Sequence, residues 1–172
     1  YEKSKTLAEQ AAWEFIGSPA ANGLELTTVN PGLVLGPMLG DAPSTSIESV
    51  RKLMARELPA CPDLVYSFVD VRDVAAAHVA ALTAPHAAGR RHLCANDGSS
   101  LREVAAILAE AYNPRGYRVP TGRLPGFALR VAALYDKTAA MTLQDLGQPH
   151  RIDNTRIREL LAPSRARVGA FL

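Results

Sequence analysis

Tyr1 and Lys5 stand four residues apart at the head of a stretch whose apolar positions recur at helical spacing. On a helix both side chains emerge on one face, with their Cβ atoms roughly 5–6 Å apart. A free phenol is a poor proton donor or acceptor at neutral pH, but an ammonium beside it stabilises the phenolate. Such a pair can serve as a general acid and base toward a substrate oxygen. Taken alone the spacing is weak, because Tyr and Lys fall four apart by chance on many solvated helices. The other reactive residue types read more plainly. Asp70, Arg72 and Asp73 look like a helix cap with an ion pair, and His78, inside an alanine-rich helix, looks packed or partly exposed. His86, His92 and His150 are isolated, and Cys61 and Cys94 have no His or Cys at metal-ligand spacing. They are read as reduced thiols, and no metal is expected.

The elements that must carry Tyr1 and Lys5 follow from the pattern around them. Leu7, Ala8, Ala11, Ala12, Phe15 and Ile16 predict a helix from Thr6 to Ile16, stopped by Gly17, Ser18 and Pro19. Leu24 to Val29 reads as a strand after the Asn22-Gly23 turn, and it ends at Asn30-Pro31-Gly32. A polar loop leads to a helix carrying Ile47, Val50, Leu53, Met54 and Leu58, with Ser46 a candidate cap. Leu64 to Val71 reads as a strand, Asp73 as the cap of the helix running to Thr83, and Arg91 to Ala95 as another strand. Ser100-Leu101-Arg102-Glu103 has capping-box spacing ahead of a further helix. Tyr117 to Pro120 is a short strand candidate, Leu124 to Tyr135 a helix entered through Pro125, and the last helix starts at Asp153 or Asn154. Alternating helices and strands predict an α/β fold with a mostly parallel sheet. Two main strands are too few for such a sheet, since parallel strands are buried on both faces, so further strands are expected from outside these residues.

The 172 residues are 48% apolar, enough for a core, and a net charge of +2 is too small to argue for nucleic acid or a membrane surface. No apolar run approaches the roughly 18 residues of a membrane span. A cytoplasmic enzyme is the default expectation.

Four longer patterns give the Tyr-Lys pair its context. Tyr1-Glu2-Lys3-Ser4-Lys5 is followed by Ala8-Glu9 and Ala12-Trp13-Glu14-Phe15. The strand after this helix runs Val29-Asn30-Pro31-Gly32-Leu33-Val34-Leu35-Gly36-Pro37, and Phe68-Val69-Asp70-Val71-Arg72-Asp73-Val74-Ala75 leads into Ala77-His78. Asp153-Asn154-Thr155-Arg156 precedes Glu159-Leu160-Leu161. In order and spacing these resemble the C-terminal half of an extended short-chain dehydrogenase/reductase, of the branch containing dihydroflavonol, cinnamoyl-CoA and bacterial aldehyde reductases.

The resemblance implies the C-terminal part of a Rossmann-like parallel sheet with a small α+β substrate domain. Residues 1–37 and 68–98 would belong to the nucleotide-binding part, 38–67 and 99–172 to the substrate part. Tyr1 would protonate a substrate carbonyl oxygen as hydride arrives from the nicotinamide, and Lys5 would hold the nicotinamide ribose and favour the phenolate. Pro31, Gly32, Leu33 and Val34 would line the nicotinamide carboxamide, where ligands of open α/β sheets sit beyond the strand ends. Thr45 and Ser46 would reach the pyrophosphate. The implied cofactor is NADP, with NAD the other option, and the implied partner is a small carbonyl substrate, with a homodimer allowed. Tyr66, Phe68, Met141 and the Leu124–Tyr135 helix would form the variable substrate region. The glycine-rich pyrophosphate turn and the upstream catalytic Ser or Thr of the family have no match here. By themselves these residues are therefore expected to show little activity, and to leave a strand edge and apolar faces unpaired. Two other functions share the Tyr-Lys motif or the fold: a nucleotide-sugar epimerase or dehydratase, and a non-catalytic nucleotide-sensing protein.

Overall fold

Six α-helices, two 3-10 turns and six short strands make up the described part of the chain, and the first helix carries Tyr1 and Lys5. The computed structural model describes residues 1–41, 44–134, 143, 146–147 and 151–165. In chain order the elements are α1 (Glu2–Ile16), β1 (Thr27–Pro31), β2 (Leu33–Leu35), α2 (Thr45–Met54), β3 (Val65–Tyr66) and β4 (Phe68–Asp70). They continue with α3 (Val71–Thr83), β5 (Arg90–Cys94), β6 (Ser99–Ser100), α4 (Leu101–Tyr112), α5 (Gly126–Ala132) and α6 (Thr155–Arg165). Tyr135, Met141 and His150 lie outside the described residues.

The chain divides into two compact units, each discontinuous in sequence. The first comprises Tyr1–Asn30, Asp73–Cys94 and Asn154–Leu172. In it β1 pairs with β5, and α6 packs against β5 through a helix face on which Ile157, Leu160 and Leu161 are buried. Ala77 and Ala80 are the buried positions of α3. By contrast α1 buries no residue, and Leu7 and Phe15 are about half exposed.

The second unit comprises Pro31–Arg72 and Ala95–Asp153. Its β2 and β4 run parallel, with Leu33 opposite Phe68 and Val34 opposite Val69. An antiparallel pair, β3 with β6, sits beside a core of Leu53, Cys61, Leu64, Leu101, Ala105 and Val119. The capping box of α4 forms as expected: the Glu103 N–H donates to Ser100 Oγ at 3.1 Å, and the Ser100 N–H donates to Glu103 Oε2 at 2.7 Å.

Several local expectations shift. The strand anticipated over Leu64 to Val71 is broken at Ser67, whose carbonyl turns aside to accept the Leu33 N–H at 2.8 Å. The helix after the polar loop is capped by Ser44, not Ser46, since the Ile47 N–H donates to Ser44 Oγ at 3.4 Å. That helix stops at Met54, because Arg56 takes a positive φ of 58° and ends the turn before Leu58. Asp70, not Asp73, caps α3 by accepting the Arg72 N–H at 2.8 Å. Tyr117 to Pro120 is not a strand: it is irregular chain, held where the Val119 N–H meets Asn113 Oδ1 at 2.9 Å while Val119 itself enters the core. The apolar pattern there marks burial in the core and not pairing in a ladder.

Candidate active site

Tyr1 is the N-cap position of α1, and the first helical hydrogen bond, from the Lys5 N–H to the Tyr1 carbonyl at 3.1 Å, sets the two residues one turn apart. The Lys5 ammonium then lies over the phenol ring, 5.4 Å from its centroid. Ser4 Oγ donates to the same Tyr1 carbonyl at 2.6 Å, which tightens this first turn. Tyr1 is 91% exposed, so no described residue of its own unit blocks approach to the hydroxyl. Among the described residues the Lys5 ammonium pairs with no carboxylate. A cation over a phenol ring, with its three N–H donors uncommitted, can hold hydroxyls of a ligand and compensate charge on the phenol oxygen.

Two turns further along α1 lies a cluster whose role sequence reasoning missed. Glu9 Oε1 accepts from Arg91 Nε at 2.7 Å, from Thr28 Oγ1 at 3.2 Å and from Trp13 Nε1 at 3.3 Å. Its Oε2 accepts from Asn30 Nδ2 at 2.9 Å. The Arg91 guanidinium, helped by the Trp13 and Asn30 donors, outweighs burial and holds the Glu9 carboxyl down at about 2. The partners lie 19 to 82 positions away, and the only local signal was the indole four residues on.

In the second unit the turn after β1 is tight for a reason within the protein. A Cβ on Gly32 would stand 2.1 Å from the Ser67 carbonyl oxygen and 2.9 Å from Ala95 Cβ. Pro31 has no N–H, and the Leu33 N–H is taken by Ser67, so neither amide is free for a ligand. Leu33 and Val34 sit half-buried in β2. Thr45 and Ser46 occupy the first two positions of α2, and because Ser44 provides the cap, neither hydroxyl is consumed by that bond. The ion pair of Arg72 with Asp70, at 2.6 Å, is structural, as the sequence suggested. His78 Nδ1 stays within its own helix, 2.8 Å from the Val74 carbonyl oxygen. Both cysteines are buried and free, and among the described residues no group of His, Cys, Asp and Glu is disposed to hold a metal ion. No described helix is long and apolar enough to cross a membrane.

No family model matches the chain. It is 40% identical over 121 residues to cinnamoyl-CoA reductase 1 of Arabidopsis thaliana, which covers 70% of this chain and 33% of that protein. To the NADPH-dependent methylglyoxal reductase GRE2 of Saccharomyces cerevisiae it is 35% identical over 133 residues, covering 73% of this chain and 39% of the relative. Among solved structures, yeast methylglyoxal/isovaleraldehyde reductase Gre2 complexed with NADPH superposes with a TM-score of 0.68 at 30% identity, over 93% of this chain and 44% of that one. Vestitone reductase from alfalfa shares the fold, with a TM-score of 0.64 at 20% identity over 91% of this chain and 44% of its own. The chain thus spans between a third and two fifths of the length of these curated relatives. Its α/β architecture matches that of these solved structures. The chain belongs to the extended short-chain dehydrogenase/reductase family, in the branch that includes the cinnamoyl-CoA and methylglyoxal reductases.

Proposed function

We propose that the protein carrying this chain is an NADPH-dependent reductase that converts a small aldehyde or ketone to the alcohol, with Tyr1 as general acid and Lys5 as its electrostatic partner. The observation that carries this reading is the Lys5 ammonium 5.4 Å from the Tyr1 ring centroid on the first turn of α1. The similarity to a cinnamoyl-CoA reductase and to an NADPH-dependent methylglyoxal reductase supports the reaction class.

The donor set fits a nicotinamide dinucleotide: an ammonium with no carboxylate partner among the described residues can bond both hydroxyls of a ribose. NADPH, when bound, supplies the hydride. Tyr1 holds the proton and delivers it from its hydroxyl to the carbonyl oxygen of the substrate as that oxygen gains charge. Lys5 offsets the negative charge left on the Tyr1 oxygen, which makes the proton easier to release at neutral pH. In the other unit we assign contacts to the cofactor to the carbonyl oxygens of Pro31 and Leu33, to the backbone of Gly32 and Val34, and to the hydroxyls of Thr45 and Ser46. We assign the nucleotide-binding role to residues 1–37 and 68–98, the substrate role to 38–67 and 99–172, and the cytoplasm as the compartment.

The test is NADPH oxidation by the full-length protein against methylglyoxal, aromatic aldehydes, cinnamoyl-CoA thioesters and UDP-sugars. Stoichiometric oxidation with the carbonyl compounds alone is expected. Tyr1→Phe should lower kcat by about 10²-fold or more while NADPH still binds, as the loss of a general acid requires. Unchanged turnover in that variant would remove Tyr1 from the mechanism.

A further inference from the structure

Tyr1, Lys5, Glu9 and Trp13 follow one another at steps of four along α1, so the four side chains form one stripe on the helix. The first two are the proton-transfer pair of the proposed function, on which this inference rests. The third is the anchored one. Its two carboxylate oxygens take donors from both strands of the sheet in its unit: Thr28 at 3.2 Å and Asn30 at 2.9 Å from β1, and Arg91 at 2.7 Å from β5. Trp13, one turn on, adds its indole N–H at 3.3 Å.

A helix held to a sheet by apolar contacts alone can roll about its axis, and those of α1 are shallow, since Ala12, Trp13 and Ile16 are only half-buried and none of its residues is fully buried. A planar group bonded at one oxygen to β5 and at the other to β1 removes that freedom. It restrains roll and axial position together, because a slide of about 1 Å away from either strand stretches the bonds to that strand beyond useful range. We propose that Glu9 is a positioning residue for Tyr1 and Lys5: by clamping α1 to β1 and β5 it sets the direction in which the acid–base pair points. Glu9 touches neither substrate nor cofactor in this role.

The clamp depends on shape more than on charge, and the structure supplies the variant that tells the two apart. Asn30 Oδ1 is buried without a partner among the described residues. In Glu9→Gln the new amide N–H₂ would face Asn30, and a half-turn of the Asn30 amide would present that oxygen as its acceptor. The other oxygen would keep Arg91, Thr28 and Trp13. Arg91 is half exposed, so water can solvate its uncompensated charge. Glu9→Ala keeps none of these bonds.

The experiment uses the full-length protein in three forms, parent, Glu9→Ala and Glu9→Gln, with Asn30→Ala combined with Arg91→Ala as a fourth should Glu9→Ala fail to fold. Crystal structures give the position of the Tyr1 hydroxyl, and kinetics well below the melting temperature give kcat and KM separately. The expected result is a Tyr1 hydroxyl displaced by about 1 Å or more in Glu9→Ala, with kcat down by about tenfold or more and KM little changed, as loss of orientation requires. Glu9→Gln should recover most of the lost kcat and the parental Tyr1 position. A Tyr1 hydroxyl in its parental place in Glu9→Ala, or in the double variant, with kcat within about twofold and only a lower melting temperature, would overturn the proposal and leave Glu9 a stability clamp. If the parent itself turns over no carbonyl substrate, the reductase reading fails by that fact, and the displacement of the hydroxyl still decides what Glu9 does.

Discussion

Gly32 shows how one hydrogen atom can decide whether two segments meet. Any side chain there would drive a carbon to 2.1 Å from the Ser67 carbonyl oxygen, which is backbone and cannot swing away. Gly32→Ala should therefore push β2 from Ser67 and break the Leu33–Ser67 hydrogen bond, lowering stability by about 1–3 kcal/mol in chemical denaturation. A parental midpoint would mean the turn relaxes freely. Glu9 makes a second prediction at this scale. Its carboxyl titrates in the folded protein at about 2, below its ordinary value of 4.5. The stability it contributes is complete above the ordinary value and is lost as pH falls from about 4.5 toward 2. Asp70, lowered from its ordinary 3.8 to about 2 by its bond to Arg72, loses its contribution over the lower part of that range, below about 3.8. Melting temperatures measured from pH 6 down to 2.5 should fall more steeply for the parent than for Glu9→Gln. Parallel curves would show that Glu9 is not the titrating group. The Tyr1–Lys5 pair was legible in the sequence because one helical turn relates its members. The Glu9 cluster was not, because its donors come from β1 and β5 and no local pattern brings those strands to α1.

At the scale of elements, the reciprocal capping box was readable, while the single-residue caps at Ser44 and Asp70 and the break inside the Leu64–Val71 strand were not. Ser100 and Glu103 form the capping box that their spacing announces, so Ser100→Ala should cost about 1 kcal/mol, measured by denaturation against Ser44→Ala as the corresponding change at α2. Ser44 beat Ser46 for the cap of α2 because a helix beginning at Thr45 needs its acceptor one residue earlier. The stretch over Leu64 to Val71 has strand composition throughout, yet pairing partners, not composition, divide it: β3 meets β6 antiparallel and β4 meets β2 parallel. A chain that serves two ladders of opposite sense must break between them, and it breaks at Ser67.

At the scale of the whole molecule, the family was legible because its motifs recur in order along most of the chain, while the unit boundaries depend on contacts between distant segments. Leu53 is fully buried among Cys61, Leu64, Leu101, Ala105 and Val119, so Leu53→Ala should destabilise the second unit by about 2–5 kcal/mol in a denaturant titration, whereas Leu82→Ala, on an exposed face of α3, should change little.

The discontinuity of the units has a kinetic consequence. The second unit assembles from two stretches separated by one excursion of chain, but the first must gather three stretches across two longer excursions. Closing more and longer loops costs more entropy before any contact rewards it, so the segments around Leu53 and Leu101 should acquire amide protection during refolding before those of β1 and β5. The helix bearing the acid–base pair would then be among the last parts of the molecule to find its place.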